Sequence, residues 1–220
     1  MLLQIAGIMP EEKVEELGAS LVADGASFVS GKATAGAQAR LVKNNDQSSG
    51  PAAQAAIAAV REALMNNAVF RSAARPKELF GTLVSRYRPG MAYGSHVDDA
   101  LMGGRRTDLS FTFFVSAPEC YGGGELVIEG NDGENAIKLA AGSVVVYPTT
   151  SLHRVAEVTA GERLVVVGWV RSFIRSGEQR EILFDLDQTV ALLVAANAHR
   201  AITDRVLKTR NNLIRMWAED

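Results

Sequence analysis

Cysteine, histidine and unbalanced charge are all scarce in this chain of 220 residues, and each scarcity excludes something. The single cysteine, Cys120, cannot form an internal disulfide. With no base near it in the sequence, we interpret it as a small, partly buried apolar side chain and not as a nucleophile. A net charge of −2 gives no electrostatic reason to bind bulk nucleic acid or an anionic membrane surface.

Long apolar runs are also missing, although 47% of the residues are apolar. No uncharged stretch approaches the roughly 20 residues that span a bilayer. The segment Met1–Pro10 lacks the basic start of a signal peptide, so it is predicted to be a first strand, and a cytoplasmic location is expected. Length and apolar content fit one domain with small appendages.

Only three histidines are present, yet two of them fall into a pattern with an aspartate. His96 and Asp98 are two residues apart, so on a strand their side chains share a face, and His153 follows from a later strand. Two histidines and one carboxylate form the set that binds non-haem Fe(II) and leaves coordination positions open. If they share one ion, their donor atoms should lie within about 3–3.5 Å of one another. The third histidine, His199, is expected on a distant helix with no ligand role.

Arg163 opens an apolar run that ends at Trp169. A guanidinium can form a two-pronged pair with a carboxylate, so Arg163 could hold the far end of a dicarboxylate whose near end binds the metal. An arginine at the start of a strand is more often a surface charge. Strand parity puts Trp169 on the same face as Arg163 and puts Val166 on the other, which helices should cover. Consecutive paired strands would need a bulge or an odd-length link for His153 and Arg163 both to face inward.

The spacing of apolar residues predicts helices at both ends of the chain and strands between them. Helices are expected over 10–24 and 51–66, with Ser49 as the cap of the second, and in two segments after Ser176 whose apolar stripe packs on the core. The expected strands are a short one over 27–30 and others over 80–87, 107–116, 125–129, 136–139, 143–147, 152–158 and 163–173.

Many short strands joined by glycine-rich turns indicate a sandwich or barrel, and a metal inside favours a jelly roll. The expected fold class is therefore α+β, mainly β. It has a double-stranded β-helix (jelly roll) core, N-terminal helices packed on the barrel and a C-terminal helical extension. Residues 1–175 are expected to form the main domain and residues 176–220 the extension.

Motifs along most of the chain resemble those of one known family. They are Thr34–Gln38, Val42–Asn45, Arg86–Asp98, Tyr121–Leu126, Ala141–Pro148, Ser151–His153, Val158–Arg163 and Arg180–Asp187. In this order they resemble the PKHD-type hydroxylases, bacterial Fe(II)- and 2-oxoglutarate-dependent oxygenases related to prolyl and lysyl hydroxylases. One departure is Arg171-Ser172, where glutamine and serine are expected; it does not touch the metal residues.

The resemblance implies a role for each residue of the pattern. His96, Asp98 and His153 would bind Fe(II), and Arg163 would bind the distal carboxylate of 2-oxoglutarate. Tyr87 stands where related enzymes place a tyrosine against the co-substrate, although an aromatic that merely lines the barrel is an equal interpretation. The implied reaction uses O2 to hydroxylate a C–H bond and releases succinate and CO2. Dependence on L-ascorbate (vitamin C) comes with the family, and the sequence offers no site for it.

The substrate stays open at this point. The relation to prolyl and lysyl hydroxylases suggests a peptide side chain, whereas the family's association with bacterial iron uptake suggests a small iron-chelating molecule. A homo-oligomer could form through the C-terminal helices. Two alternatives come from other classes: a cupin-like metalloenzyme that does not use 2-oxoglutarate, which would typically have more histidines, and a non-catalytic jelly-roll binding module.

Overall fold

The structure is a computed structural model that describes residues 1–34, 39–131 and 133–219. The motif expected over Thr34–Gln38 lies outside the described residues from position 35 onward. The strands within these ranges are β1 (Leu3–Ile5), β2 (Phe28–Ser30), β3 (Lys43–Asn44), β4 (Asp46–Ser48), β5 (Pro76–Tyr87), β6 (Ala92–His96), β7 (Leu101–Met102), β8 (Arg105–Arg106), β9 (Leu109–Phe114), β10 (Tyr121–Gly123), β11 (Leu126–Gly130), β12 (Gly133–Ile137), β13 (Val144–Pro148), β14 (His153–Val155), β15 (Val158–Gly161) and β16 (Arg163–Ser172). The α-helices are α1 (Glu11–Ala23), α2 (Ala39–Val42), α3 (Pro51–Asn66), α4 (Ala68–Ala74), α5 (Gly177–Ala195) and α6 (Arg200–Trp217).

The strands form two main antiparallel sheets that lie face to face. The larger sheet has seven strands in the order β1-β13-β9-β16-β5-β4-β2, and the smaller has five in the order β12-β11-β14-β6-β3. Tyr147 and Val165 from the larger sheet and Ile128 and Val155 from the smaller belong to one buried cluster between them. This is the jelly-roll core predicted from the sequence.

The outer face of the seven-stranded sheet is covered by α1, α3 and α4, which creates a second core. Leu164, Val166 and Val170 of β16 are buried on this side. Val60 of α3 and Phe70 of α4 belong to the same cluster and have no exposed surface. Burying one such side chain contributes roughly 1.5–3 kcal/mol, so this layer supplies much of the stability. The prediction that helices cover the outer set of β16 is confirmed.

Two helix starts in this layer differ from the sequence prediction. α3 begins at Pro51, as expected, but Ser49 does not cap it: the N-cap residue is Gly50, which has no side chain for the purpose. α4 was not predicted, because its seven residues are too few to show a clear period. It is capped by Asn67, whose side-chain oxygen accepts the backbone N–H of Phe70 at 2.9 Å.

The predicted link between His153 and Arg163 is wrong. The strand expected over 152–158 ends at Val155, and a separate strand, β15, follows it and pairs with β10. β14 and β16 belong to opposite sheets and do not pair with each other. His153 and Arg163 therefore both face the interior because the two sheets face each other, and no bulge between them is required.

The C-terminal helices α5 and α6 extend from the core and pack on each other. Asp187 of α5 forms ion pairs with Arg75, which ends α4, and with Arg210 of α6. In the predicted stripe Leu183 is buried, Leu186, Val190 and Leu193 are half-buried and Ile182 is exposed. The expected packing against the core is therefore confirmed at Leu183 and wrong at Ile182. None of the helices in the described residues has the length and apolar character required to cross a membrane.

Candidate metal centre

Two histidines and an aspartate meet between the two sheets. His96 ends β6 and His153 begins β14, and the two residues are directly opposed in the antiparallel pairing. Asp98 follows β6, and one ligand atom from each of the three lies within 4.8 Å of the others. Oxygens of Asp98 lie 3.8 Å from His96 Nε2 and 3.9 Å from His153 Nε2. The shared face was predicted correctly, whereas the expected spacing of about 3–3.5 Å was too short.

The imidazole rings are already oriented for metal binding. Nδ1 of His96 lies 2.8 Å from the carbonyl oxygen of Gly94, and Nδ1 of His153 lies 3.1 Å from that of Ser151. A carbonyl can only accept, so each Nδ1 carries the proton and each Nε2 presents its lone pair towards Asp98. Burial, and to a smaller extent the neighbouring His153, lowers the pKa of His96 to about 4. His96 is therefore neutral at physiological pH, as a metal ligand must be.

Asp98 is oriented by two donors from the opposite sheet. Its Oδ2 accepts a hydrogen bond from Ser110 Oγ of β9 at 2.7 Å and another from Trp169 Nε1 of β16 at 2.9 Å. These bonds hold the carboxylate in one rotamer, which reduces the entropy lost when a metal binds. Strand parity placed Trp169 inside the barrel, but its role as a donor to Asp98 was not predicted.

The indole of Trp169 lies against Gly81 of β5. A Cβ atom at position 81 would lie 2.7 Å from Trp169 Cε3, and the φ angle of +61° is one that residues with side chains rarely adopt. The pairing of β5 and β16 also slips here, between Val167 and Trp169. The position of the indole therefore depends on glycine at 81.

Arg163 occupies the deep end of the cavity, with two of its nitrogens unpaired. It is 1% exposed, yet its Nε and Nη2 have no hydrogen-bond partner among the described residues. The guanidinium lies 5.1 Å from the ring centre of Tyr87 and 5.7 Å from that of Phe114. Burial raises the pKa of Tyr87 to about 12, and the charge of Arg163 opposes the rise. A buried cation without a counter-ion is unfavourable, so this end of the cavity suits a carboxylate.

Two aromatic side chains support the histidines. Tyr93 stacks on His96 with 3.7 Å between ring centres, and Tyr147 meets the ring of His153 edge-on at 5.1 Å. Both contacts restrict the imidazoles to the orientations that the carbonyl hydrogen bonds favour. Tyr147 shares a face of β13 with Val145, and both side chains are buried between the two sheets.

Tyr121 lies beside Arg163 at the deep end. Burial raises the pKa of its hydroxyl, and the guanidinium charge opposes that rise. With Tyr87, Tyr93 and Tyr147, it brings all four tyrosines of the chain to this region. Of these four tyrosines, only Tyr87 was predicted from the sequence to be a site residue. Because aromatic residues make up only 6% of the chain, their concentration here marks the site more clearly than any single tyrosine does.

The cavity around these residues has a volume of 480 Å³, within the range of about 300–1,000 Å³ typical of small-molecule sites. Lys43 of β3 also lines it and is 6% exposed. Lys43 Nζ donates to Thr34 Oγ1 at 3.0 Å and lies 5.1 Å from the ring centre of Tyr93. Burial lowers the pKa of Lys43 to about 8, against the opposing effect of Asp98. The Val42–Asn45 motif contains Lys43, but a cavity position was not predicted for it, because two-residue β3 shows no strand period.

The donor set fits a non-haem Fe(II) site. Two neutral imidazole nitrogens and one carboxylate oxygen would occupy one side of an ion and leave positions open for other ligands.

His199 is not part of the cluster; it is exposed and caps α6, with its Nδ1 accepting the backbone N–H of Ala201. Cys120 is exposed as well. The partly buried position expected for Cys120 is therefore wrong.

Family models match two parts of the chain. Residues 82–171 match the 2OG-Fe(II) oxygenase superfamily, and residues 178–219 match the PKHD-type hydroxylase C-terminal domain. A PKHD-type hydroxylase of Maricaulis maris is 56% identical over 221 residues, with both chains covered completely. One from Parvibaculum lavamentivorans is 51% identical over 222 residues, again with complete coverage of both.

Solved structures share the fold at lower identity. A Pseudomonas putida prolyl-4-hydroxylase superposes with a TM-score of 0.58 and 21% identity, covering 78% of this chain and 92% of that one. A Trichoplax adhaerens prolyl hydroxylase, in complex with a hypoxia inducible factor peptide fragment, gives a TM-score of 0.61 and 13% identity. That match covers 83% of this chain and 86% of the other.

Proposed function

This chain belongs to the PKHD-type hydroxylases, and from that premise we propose that it hydroxylates a C–H bond of a peptide side chain or a small molecule. It is an oxidoreductase of the group that uses Fe(II) and 2-oxoglutarate, with O2 as oxidant. In this proposal His96, Asp98 and His153 bind the iron, Arg163 binds the distal carboxylate of 2-oxoglutarate, and Tyr87 forms the wall beside that carboxylate. Succinate and CO2 are the co-products.

The two nitrogens of Arg163 that have no hydrogen-bond partner among the described residues carry the proposal. A metal-binding triad alone is compatible with a cupin-like enzyme that has no use for a dicarboxylate. Here the same cavity also holds a 1% exposed cation whose Nε and Nη2 have no partner among the described residues. A dicarboxylate with one end at the triad would satisfy those donors and neutralise the charge. This pairing of features favours 2-oxoglutarate use over both alternatives.

When bound, the iron and 2-oxoglutarate supply the oxidative chemistry, and the protein residues bind and orient. Trp169 and Ser110 hold Asp98 in the rotamer that faces the two Nε2 atoms. The carbonyls of Gly94 and Ser151 hold the imidazole protons on Nδ1. Arg163 fixes the far end of the co-substrate by charge and by paired hydrogen bonds. Because this geometry is fixed in advance, less entropy is lost when the reactants are aligned.

The substrate class has support from two directions. The similar Trichoplax adhaerens structure contains a peptide fragment, which favours a peptide side chain. The family's association with iron uptake favours a small iron-chelating molecule, and with it a role in iron homeostasis. The cavity of 480 Å³ is large enough for a side chain or for part of a small molecule beside the co-substrate.

We extend the proposal to the domain organisation, the location, the reductant and the oligomeric state of the enzyme. Residues 1–175 form the oxygenase domain and residues 176–220 a helical extension, in a cytoplasmic protein. Ascorbate keeps the iron reduced during turnover. The extension mediates homo-oligomerisation, since Leu192 of α5 is 71% exposed and Met216 of α6 is 74% exposed.

Replacing Arg163 with methionine tests the co-substrate site. Anaerobic protein is first titrated with Fe(II) and then with 2-oxoglutarate, and the visible charge-transfer band of the chelate is recorded. The Arg163→Met variant should bind 2-oxoglutarate about 100-fold more weakly, because charge-assisted hydrogen bonds contribute roughly 1.5–3 kcal/mol each, and should bind Fe(II) normally. Arg154→Met, at an exposed arginine of β14, is the matched control.

Two outcomes separate the alternatives. Unchanged 2-oxoglutarate affinity in Arg163→Met would remove Arg163 from the site and favour a cupin-like enzyme. No chelate band in the unmodified protein would favour a binding module. If the band forms, succinate release against a panel of peptides and iron-chelating small molecules identifies the substrate class.

A further inference from the structure

Lys43 is a buried cation in the cavity that the proposed reaction does not use. It is 6% exposed, and its ammonium has three donor hydrogens. Among the described residues its one hydrogen bond is to Thr34 Oγ1, at 3.0 Å, and no carboxylate lies within ion-pair distance of its Nζ. Apart from the contact with the Tyr93 ring, at least two donors and one positive charge therefore face the cavity without a hydrogen-bond or ion-pair partner among the described residues.

A structural role does not account for this placement. Burying an ammonium is unfavourable unless it is paired, and a methionine would fill the same volume with no charge to desolvate. The shift of the pKa of Lys43 to about 8 records that desolvation. Charges that are kept buried at the expense of stability are concentrated at binding and catalytic sites.

Lys43 and Arg163 occupy different ends of the cavity. Arg163 lies among the buried rings of Tyr87 and Phe114, at the deep end. Lys43 is on β3, an edge strand of the smaller sheet, and its partner Thr34 is exposed, so Lys43 is at the rim side. β3 pairs with β6, the strand that carries His96, so Lys43 is also close to the triad.

We propose that Lys43 is the anchor for a carboxylate on the primary substrate, at the rim of the cavity and next to the triad. The inference rests on the proposed function, in which Arg163 takes the 2-oxoglutarate. One ammonium that has no ion-pair partner among the described residues balances a single negative charge. A carboxylate supplies that single charge, whereas a phosphate carries roughly two. The substrate is therefore an acid, either a small carboxylic acid or a peptide with an acidic group.

Two matched probe pairs test this assignment and distinguish the sources. One pair is 3-phenylpropionate and 3-phenylpropionamide; the other is N-acetylglutamate methylamide and N-acetylglutamine methylamide. The two members of each pair differ only in that one has a carboxylate where the other has a carboxamide. Binding is measured by calorimetry on the full chain, under anaerobic conditions, with Fe(II) and saturating 2-oxoglutarate so that Arg163 is occupied. The proteins are wild type, Lys43→Met, Lys43→Arg and the surface control Lys208→Met.

The wild type should bind the carboxylate of at least one pair about tenfold more tightly than its amide. That preference should fall below about twofold in Lys43→Met, persist in Lys43→Arg and be unchanged in Lys208→Met. The preferred pair identifies a small acid or a peptide as the source. 2-Oxoglutarate affinity should be the same in all four proteins, which separates this test from that of Arg163.

Three results would overturn the assignment: no preference for either carboxylate in the wild type, no measurable probe binding at all, or a preference that survives in Lys43→Met. A loss of 2-oxoglutarate affinity in Lys43→Met would also overturn it, because Lys43 would then serve the co-substrate. Thermal unfolding of each variant checks the fold, and Lys43→Gln, which also removes the charge, replaces Lys43→Met if that variant fails to fold.

Discussion

Both faces of β9 are buried, but one packs in an apolar core and the other faces the metal site. Leu109, Phe111 and Phe113 point to the helices and join an apolar core. Ser110 and Phe114 point between the sheets, where Ser110 bonds Asp98 and Phe114 lies near Arg163. Alternation of polar and apolar residues usually indicates a strand with one face in water. In β9 the polar positions instead face the metal site.

The difference shows how one sheet separates stability from chemistry. The helix-side core contains side chains that need no hydrogen bonds, so its contribution comes from apolar burial. The site-side core contains His153, Arg163 and Ser110, all buried polar groups that are expensive to desolvate. Changes on the two faces should therefore separate into effects on unfolding and effects on ligand binding.

The largest effect is expected on the site side, from loss of a metal ligand. His153→Ala should lower the rate of 2-oxoglutarate turnover by at least about a thousandfold, equivalent to roughly 4 kcal/mol of transition-state stabilisation. Thermal unfolding of the metal-free protein should change little, because the removed ring is a polar group of the cavity and not of the helix-side core. His199→Ala, at a surface cap, is the control, and comparable loss there would contradict the assignment of the ligands.

A neighbouring pair of phenylalanines sharpens the comparison. Phe113→Ala should destabilise the protein by about 3–5 kcal/mol in denaturant titrations. Phe114→Ala should cost a similar amount, since both rings are fully buried. Only Phe114→Ala should also weaken 2-oxoglutarate binding, because the ring lies 5.7 Å from the Arg163 guanidinium. Equal 2-oxoglutarate affinity in the two variants would show that the faces are not separated in this way.

Trp169→Phe tests whether the opposite sheet contributes to the metal site. The variant keeps most of the ring volume and loses the donor to Asp98 Oδ2, so Fe(II) should bind about tenfold more weakly. Ser110→Ala should have an effect of similar size. Of the two tryptophans, Trp217 lies at the end of α6, so Trp217→Phe leaves Trp169 as a fluorescent reporter of metal binding and serves as the control. Normal Fe(II) affinity in Trp169→Phe would make the hydrogen bond incidental.

The smallest expected effect is a gain in stability, in contrast to the losses predicted above. The folded-state pKa of Lys43, about 8, lies below the value of 10.5 for a free lysine, so the unfolded chain binds more protons between these pH values. Wild-type stability should therefore rise with pH across this window. Lys43→Met should stabilise the metal-free protein by about 1 kcal/mol at neutral pH, a figure discounted for partial solvent screening. The gain should vanish above about pH 10.5; destabilisation at neutral pH would show a structural role.

Much of the site could be predicted from local sequence, and the failures share one cause. The spacing of His96 and Asp98 and the parity of β16 are properties of single strands, so both were predicted correctly. The error in the His153–Arg163 link arose because the partner of a strand depends on the whole sheet, and β15 intervenes. Lys43 lies within the Val42–Asn45 motif, but its place beside the triad follows from the pairing of β3 with β6, which the motif does not reveal.

The tight fit of Trp169 on Gly81 has a consequence for how this sequence can vary. Any larger residue at 81 would meet the indole and would also need a rarely adopted φ angle. It would be tolerated only with a smaller residue at 169, and that residue would leave Asp98 without its indole donor. Positions 81 and 169 should therefore be inherited as a pair in descendants that keep the metal site, although neither residue touches the ion.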